Sequence, residues 1–319
     1  MRLRDLPTLA REVGISTFGS AAALEGVLNQ TRIRLLSTLN GTLTLKMASM
    51  QGDRSISHLQ REMRHDRYDV KGLQQHSGVV LDVGANLGYY SLVVAKLYPQ
   101  MRVLAVEPTP PTFFFLVVNL HLNRVRLMTR STFRAAKARG VLPLHAAMGS
   151  RATANGTSIT MHYPIGGGDS QLAMATSDSS LAPRGGFRTQ RVPLVDMDDF
   201  LVRSGVRRVR VLKIDCEGCE WSLVPNLRAW LTPPLWTDGM KMRFWTWPSW
   251  WRPMLPRVER IVGELHTGPL EPSYDFEMRR RAGRPVMRPE VDHVFQTVRI
   301  LAERGCSLGK PGHTYLSPC

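Results

Sequence analysis

Val79-Val-Leu-Asp-Val-Gly-Ala-Asn-Leu-Gly-Tyr-Tyr90 joins a short apolar run to a glycine turn and the start of a helical pattern. The apolar run stops at Asp82, and Gly84 and Gly88 then flank Asn86. This order predicts a buried strand, a tight turn and a helix N-terminus. Glycines allow the backbone to approach a ligand closely, and the free N–H groups of a helix N-terminus attract a negative group. The stretch therefore predicts a ligand site beside the turn.

A second acid stands at the end of the next apolar run. Residues 102–106 predict a strand, and Glu107 follows Asp82 by 25 residues. Dinucleotide-binding folds have a ribose-binding acid roughly 20 residues after the glycine turn. The two strands and their acids therefore predict a Rossmann-like sheet that binds a nucleoside-containing cofactor.

The glycine spacing favours a particular cofactor. Asn86 stands where a dinucleotide motif has the middle glycine that makes room for a pyrophosphate. Asp82 at the strand end suits the ammonium group of an amino acid, and the helix N-terminus suits its carboxylate. S-adenosylmethionine carries both groups and a ribose for Glu107, so the pattern predicts this cofactor. The alternative is an ordinary βαβ unit whose glycines only form a turn.

The rest of the chain alternates between strand and helix patterns, which predicts an α/β fold with a doubly wound, mostly parallel sheet. We interpret residues 1–52 as an N-terminal extension with a possible added strand, and residues 53–319 as the main domain, with insertions at about 124–140 and, rich in Trp, at about 232–256. Strands are predicted at residues 41–48, 79–82, 102–107, 141–148, 190–195, 209–214 and 258–264. Helices are predicted at 53–67, 91–97, 113–123, 197–202, 220–227 and 291–304, and an antiparallel strand after residue 306.

A second dense group of polar residues is Lys213-Ile-Asp-Cys-Glu-Gly-Cys-Glu220, at the end of an apolar strand. A parallel strand is buried on both faces, so Lys213 within it requires a partner. Asp215 follows at the carboxyl end of the strand, where open α/β sheets bind their ligands. The last predicted parallel strand brings Glu264 and His266 to the same edge. We therefore expect carboxylates and an imidazole to converge beside the cofactor.

These motifs resemble those of the FkbM family of S-adenosylmethionine-dependent methyltransferases. The resemblance rests on Leu81-Asp-Val-Gly-Ala-Asn-Leu-Gly88, Val106-Glu-Pro108 and the Lys213–Glu220 group, with weaker support from Ala146-Ala-Met-Gly149 and Val262-Gly-Glu-Leu-His266. It implies a Rossmann-like class I methyltransferase fold, with seven strands of which the last is antiparallel. Such enzymes usually transfer a methyl group to an oxygen of a sugar, polyketide, lipid or other small molecule. A small-molecule or glycan acceptor is therefore expected.

The candidate site follows from these motifs. The cofactor-binding candidates are Asp82, Gly84, Asn86, Gly88, Glu107 and Ala147. The catalytic candidates are Asp215, Glu217, Glu264 and His266. Methylation of a hydroxyl requires loss of its proton, and Asp215, Glu264 or His266 could act as the base; an imidazole titrates near neutrality, which favours His266. Asp215, Glu217 and Glu264 could instead bind a divalent cation that acidifies the hydroxyl, although nothing further in the sequence supports a cation.

Cys216 and Cys219 have the spacing of a thioredoxin-like redox motif at the start of a helix. Glu217 between them would oppose thiolate formation. The family resemblance accounts for the residues around both cysteines without a redox or metal role, and we favour that interpretation.

The formal net charge of +16 reflects 42 basic and 26 acidic residues. Such a charge attracts anions, which makes RNA an alternative acceptor, but no RNA-binding module accompanies it. A non-catalytic interaction protein with a methyltransferase-like fold is a third possibility. The sequence predicts no oligomeric state.

Trp and basic residues are interleaved at residues 240–251. This segment could form a lid over the acceptor, make peripheral contact with a membrane, or pack on its own domain. The chain contains no apolar run of 18 residues, so the sequence predicts no transmembrane helix. We expect a cytoplasmic protein and leave organellar targeting open, because the N-terminal residues are weakly amphipathic but include acids.

Overall fold

The computed structural model describes residues 1–53, 55–73, 77–135, 138–149, 158–164, 174–176, 187–216, 219, 223, 257–265 and 314–316. The helices in these ranges are α1 (Thr8–Phe18), α2 (Ala21–Asn29), α3 (Ser55–Arg64), α4 (Tyr89–Leu97), α5 (Pro110–Leu122), α6 (Arg130–Arg134) and α7 (Met197–Arg203). The strands are β1 (Thr31–Thr38), β2 (Leu43–Met50), β3 (Gly78–Val83), β4 (Met101–Glu107), β5 (Gly140–His145), β6 (Ala147–Gly149), β7 (Ser158–Pro164), β8 (Met174–Thr176), β9 (Phe187–Asp196), β10 (Arg208–Ile214), β11 (Arg257–Val258), β12 (Ile261–Leu265) and β13 (Thr314–Leu316).

The central sheet is mostly parallel, as predicted. Strands β3, β4 and β5 lie side by side in parallel, and β10 and β12 continue the sheet on the other side of β3. The order of the described strands is β13-β12-β10-β3-β4-β5, and the short β11 also pairs with β10. Strand β13 is antiparallel to β12. An α/β fold with a parallel central sheet is therefore confirmed, and the complete seven-strand topology of class I methyltransferases stays a prediction.

The sheet is apolar on both faces, because alternate residues of β3, β4, β5, β10 and β12 enter two different cores. Val80 and Val103 pack into the core that contains α4 and α5. Their neighbours Leu81 and Leu104 pack into a second core with residues of α6 and α7. Helices therefore lie on both faces of the sheet.

Strand β3 is the point at which the strand order reverses. The chain runs from β3 outward through β4 and β5 and later returns to the other side of β3 with β10. Open α/β sheets bind ligands at such a point, beside the carboxyl ends of the strands. Asp82 of β3 is in register with Lys213 of β10, so the two polar motifs of the sequence meet at this edge.

The N-terminal residues pack on the same face of the sheet as α5. Helix α1 contacts α5 through an edge-to-face pair of Phe18 and Phe114, whose ring centroids are 5.5 Å apart. The strand predicted at residues 41–48 is observed as β2, which pairs with β1 in an antiparallel hairpin. Strand β1 was not predicted, because its apolar residues Ile33 and Leu35 are exposed and do not follow the usual pattern of buried apolar positions.

Asn119 of α5 and Asn123, which caps the C-terminus of this helix, bind the hairpin to the main domain. Asn119 Oδ1 accepts a hydrogen bond from Ala48 N at 2.6 Å, and its Nδ2 donates to Ala48 O at 3.2 Å and Leu87 O at 2.9 Å. Asn123 repeats this pairing with the N–H and carbonyl groups of Lys46, at 2.9 and 2.7 Å. The contacts of Asn119 are buried, whereas those of Asn123 to Lys46 are exposed.

We expect Asn119→Ala to lower the free energy of unfolding by about 2–4 kcal/mol, because several buried backbone groups lose their partners. Asn123→Ala removes a similar pair of bonds where water can replace them, and should cost less than about 1 kcal/mol. Urea unfolding of both variants measures the difference. Equal losses would show that burial of the Asn119 contacts adds nothing to stability.

The chain leaves the central sheet after His145. The strand predicted at residues 141–148 is therefore two strands, β5 in the central sheet and β6 in a second sheet of order β6-β9-β7-β8. The next segment, residues 149–187, is rich in Gly, Ser, Thr and Ala. The described part of this segment contains β7 and β8, which pair antiparallel.

The two predicted insertions differ in what the structure describes. The segment at 124–140 contains α6, whose Phe133 is fully buried in the second core. The Trp-rich segment at 232–256 lies outside the described residues. In the described part of the chain, every helix is too short or too polar to cross a membrane.

Candidate active site

The turn between β3 and α4 is bound to the end of β4. The backbone N–H groups of Gly84 and Ala85 both donate to Val106 O, at 3.0 and 2.9 Å. Asn86 has a φ of 52°, a left-handed conformation that asparagine adopts more readily than most residues. Its backbone N–H donates to Glu107 Oε2 at 2.9 Å. The turn and the acid predicted to bind a ribose are therefore in direct contact.

Glu107 is a buried carboxyl group held by backbone donors. Besides the bond from Asn86, its Oε1 accepts the N–H of Thr109 at 2.8 Å. Burial raises the pKa of Glu107, although these hydrogen bonds and the charge of Lys213 act in the opposite direction. The carboxyl group is thus fixed in position at the end of β4.

Lys213 is the centre of a buried polar cluster. Its Nζ lies 3.2 Å from Asp82 Oδ1 and 3.3 Å from Asp215 Oδ2, and donates to Gly84 O at 2.8 Å. Ser91 Oγ of α4 donates to Asp82 Oδ2 at 2.6 Å. The two carboxylates supply the partners that burial of Lys213 requires. The cluster connects the ends of β3 and β10 with the turn and with α4.

The charges of this cluster compensate one another. Burial by itself lowers the pKa of Lys213, but the carboxylates of Asp82 and Asp215 outweigh it and hold the pKa above its usual value. Asp82 has no exposed surface, and the cation beside it is Lys213. In the structure Asp82 therefore holds Lys213 at the strand ends, and direct binding of a ligand's ammonium group by Asp82 stays a prediction.

Gly84 is required by the packing of the strand ends. Its φ is 75°, and a Cβ atom there would overlap the carbonyl oxygen of Asp215 and lie 2.9 Å from Cys216 Cα. Gly88 has a φ of 82°, and a Cβ atom there would lie 3.1 Å from Leu116 Cγ. The packing of the protein thus explains why both positions are glycine, and the part of these glycines in cofactor binding stays a prediction.

Three residues that no motif indicated extend the cluster. Tyr68 OH lies 3.0 Å from Asp215 Oδ2 and 3.2 Å from Glu62 Oε2. His58 Nδ1 lies 3.1 Å from Glu62 Oε1. Burial and the charge of Asp215 raise the pKa of Glu62 to about 7. The candidate site therefore includes residues from α3 and the turn after it.

A sequence signal for Glu62 does exist. Helix α3 buries Ile56 and Met63, and Glu62 lies beside this apolar stripe. An acid next to the buried face of a helix needs a polar partner. His58 and Tyr68 lie only four and six positions from Glu62, but Asp215, which Tyr68 also contacts, is 147 residues from Tyr68, so the sequence does not show that Glu62 belongs to the site.

The remaining predicted site residues are described only in part. Ala147 is the first residue of β6 and follows shortly after His145, which is in register with Glu107. The backbone of Glu264 lies in β12. Glu217 and His266 lie outside the described residues, as does the side chain of Glu264. Their catalytic roles stay predictions.

Cys216 and Cys219 form a disulfide directly after Asp215, with Cα atoms 5.4 Å apart. We had not predicted this bond. The separation lies within the range that a disulfide spans without backbone movement. Among the residues that the structure describes, no group of three or more His, Cys, Asp or Glu side chains is arranged to hold a metal ion.

The geometry above coincides with a family match that begins at Asp82 and includes Glu107 and Asp215. Residues 82–232 match the methyltransferase FkbM domain. The chain contains an FkbM domain. The resemblance inferred from the sequence motifs is therefore confirmed for this region, and the FkbM domain accounts for the turn, Glu107 and the Lys213 motif together.

The chain is also similar to proteins named as methyltransferases. Methyltransferase sdnD of Sordaria araneosa is 28% identical over 50% of this chain and 68% of its own length. Methyltransferase 1 of Beauveria bassiana is 26% identical over 54% of this chain and 67% of its own length. A shorter match, 47% identical over 15% of this chain and 16% of the relative, is to the tRNA(Phe) (4-demethylwyosine(37)-C(7)) aminocarboxypropyltransferase of Pyrococcus horikoshii. No solved structure matches the chain.

Proposed function

We propose that this protein is an S-adenosylmethionine-dependent methyltransferase that acts on a hydroxyl group of a small molecule or glycan. The FkbM domain and the names of its relatives support methyl transfer in general. The single observation that carries the choice of cofactor is the contact between the glycine turn after β3 and Glu107 at the end of β4.

The residues at this contact fit the cofactor. The Glu107 carboxyl group accepts the backbone N–H groups of Asn86 and Thr109 and a hydrogen bond from the Thr109 side chain, which leaves about one acceptor site for a ribose hydroxyl. Helix α4 begins beside the turn at Tyr89, and a helix N-terminus favours a carboxylate. Bound S-adenosylmethionine would supply an electrophilic methyl group on a sulfonium.

Among the described residues, Asp215 is best placed to take the proton of an acceptor hydroxyl. Its side chain is 19% exposed, whereas Asp82 in the same cluster is fully buried. Lys213 lies 3.3 Å from it, and a nearby cation favours the ionised carboxylate that can accept a proton. Glu217, Glu264 and His266 stay further candidates for the same task.

We expect Glu107→Ala to weaken binding of S-adenosylmethionine by about 1–3 kcal/mol, because charge-assisted hydrogen bonds to the ribose are lost. Isothermal titration calorimetry measures the affinity, and the unfolding temperature shows whether the turn is still folded. Glu25→Ala removes an exposed acid of α2 and serves as the control, with unchanged affinity. A folded Glu107→Ala variant with wild-type affinity would remove Glu107 from the cofactor site.

The acceptor can be identified by labelling. The protein is incubated with methyl-labelled S-adenosylmethionine and a cell extract, with and without nuclease. We expect the label in a small molecule or glycan that nuclease does not affect. Label that disappears with ribonuclease treatment would identify RNA as the acceptor and contradict the proposal.

A further inference from the structure

A continuous series of polar contacts connects Asp215 with the protein surface. Asp215 Oδ2 lies 3.0 Å from Tyr68 OH, and this hydroxyl lies 3.2 Å from Glu62 Oε2. The other oxygen of Glu62 lies 3.1 Å from His58 Nδ1. The side chain of Glu62 is 3% exposed and that of His58 is 37% exposed. The series thus begins at the candidate base and ends at solvent.

These residues lie outside the region explained by the family match. His58, Glu62 and Tyr68 all precede residue 82, where the match to the FkbM domain begins. Glu62 and Tyr68 are buried polar residues, which proteins retain at a cost in stability unless they are well paired. Their contacts therefore need an explanation of their own.

The single proton of the Tyr68 hydroxyl shows where the cluster holds an additional proton. The hydroxyl lies between the carboxyl groups of Glu62 and Asp215, and it has a single proton to donate. Both contacts can be hydrogen bonds only if one carboxyl group carries a proton. Lys213 lies 3.3 Å from Asp215 Oδ2 and favours the ionised form of that residue. The additional proton therefore belongs on Glu62.

The surroundings of Glu62 agree with this placement. Burial, followed by the charge of Asp215, raises the pKa of Glu62 to about 7, although the nearby cations and the tyrosine hydroxyl act in the opposite direction. Among the residues that the structure describes, the titratable and charged groups that act on Glu62 include Asp215, Lys213, Tyr68, Arg67 and His58. A group that titrates near neutrality can both accept and release a proton under physiological conditions.

We infer that Tyr68, Glu62 and His58 form a proton relay that carries the proton of the acceptor from Asp215 to solvent. The inference rests on the proposed methylation of a hydroxyl. In that reaction the O–H bond of the acceptor breaks, an electron pair of the oxygen forms the new bond to carbon, and the carbon–sulfur bonding pair stays on sulfur. One proton is released for each methyl group transferred.

Transfer of a proton through the relay causes no net change in the protonation of its residues. Asp215 takes the proton from the acceptor hydroxyl. The Glu62 carboxyl group turns so that its protonated oxygen faces His58, and the proton passes to His58 Nδ1, from which it is released to water. Tyr68 then turns its O–H toward Glu62, donates that proton to it, and accepts the proton from Asp215. Each group returns to its initial protonation state.

A first test uses only the folded protein. The folded chain keeps the proton of Glu62 up to about pH 7, whereas an ordinary Glu releases it near pH 4.5. The stability provided by this proton is complete below about pH 4.5 and is lost as the pH rises through about 7. We therefore expect the urea midpoint of the wild type to fall relative to that of Glu62→Gln across this interval.

The matched control for this test is Glu12→Gln, which changes an exposed acid of α1 and should follow the pH dependence of the wild type. If the wild type and Glu62→Gln show parallel curves, Glu62 does not hold the additional proton and the relay is wrong.

A second test measures methyl transfer to the acceptor identified by labelling, over a range of about pH 6–9 that brackets the pKa of Glu62. Tyr68→Phe removes the bridging hydroxyl and keeps the ring that packs edge-on against Tyr90 at 5.7 Å. We expect Tyr68→Phe and Glu62→Gln each to lower kcat about 10–100-fold, with unchanged affinity for S-adenosylmethionine. In Glu62→Gln the inflection of kcat near pH 7 should also disappear.

The outcomes separate the relay from the proposed function. Wild-type kcat and pH profile in both variants would overturn the relay and leave methyl transfer intact. Loss of cofactor affinity in proportion to kcat would show a structural role and would also overturn the relay. A wild-type protein that binds no S-adenosylmethionine in calorimetry would overturn the proposed function together with the relay.

Discussion

Lys213→Met should lower the free energy of unfolding by about 3–5 kcal/mol, because it leaves two carboxylates without their cation. Lys213 is buried between Asp82 and Asp215 and also donates to the carbonyl of Gly84. Methionine has a similar shape and keeps most of the packing, but it has neither the charge nor the donor. Asp82 has no exposed surface, so water cannot replace the lost contact. Urea unfolding at neutral pH measures the loss.

Two further variants separate the effect of charge from that of packing. Lys96→Met changes an exposed lysine of α4 and should alter stability by less than about 0.5 kcal/mol. Asp82→Asn, introduced into the Lys213→Met variant, removes the uncompensated charge and should restore about 1–3 kcal/mol. If the double variant is less stable than Lys213→Met, the loss does not arise from the unpaired carboxylate.

Gly84→Ala is expected to cost more than about 4 kcal/mol or to prevent folding, because two unfavourable effects coincide. Its φ of 75° is unfavourable for any residue with a side chain, and the added Cβ would overlap the carbonyl oxygen of Asp215. That oxygen belongs to the backbone directly after β10, which cannot move without disturbing the Lys213 cluster. Thermal unfolding and the yield of folded protein measure the effect.

Gly205→Ala is the matched control for Gly84→Ala. Gly205 also has a positive φ, of 65°, but a Cβ atom there would meet no atom within 4 Å. Its cost should therefore be limited to the backbone conformation, about 1–2 kcal/mol. Equal losses in the two variants would show that β10 adapts freely to a side chain at Gly84, contrary to our expectation.

The candidate site has two parts with different tasks. Glu107 and the turn form the part proposed to bind the cofactor, and their contacts lie within residues 84–109. Asp215, with Lys213 beside it, forms the part proposed to handle the proton. Affinity for S-adenosylmethionine should therefore respond to Glu107 variants, whereas the pH profile of transfer should respond to Glu62 and Tyr68 variants.

The parallel strands of the sheet, the turn after β3 and the positions of the strand-end acids follow from the amino-acid sequence alone. These features depend on local order: an apolar run, then an acid, then glycines that adopt a left-handed backbone. The FkbM motifs contain this local order, which is why the family could be inferred before the fold was known. The sequence also predicts an ion-pair partner for Lys213, since a lysine in a strand buried on both faces cannot remain unpaired.

Which distant side chains contact one another is visible in the folded structure and not in the sequence. It pairs Lys213 with Asp82 and Asp215, brings Tyr68 to within 3.0 Å of Asp215 across 147 positions of the chain, and explains Gly84 by the backbone of β10. It also divides one predicted strand into β5 and β6 and adds β1 to β2. Contacts of this kind depend on the packing of distant segments, and local propensity and periodicity contain no information about which distant segment will be the neighbour.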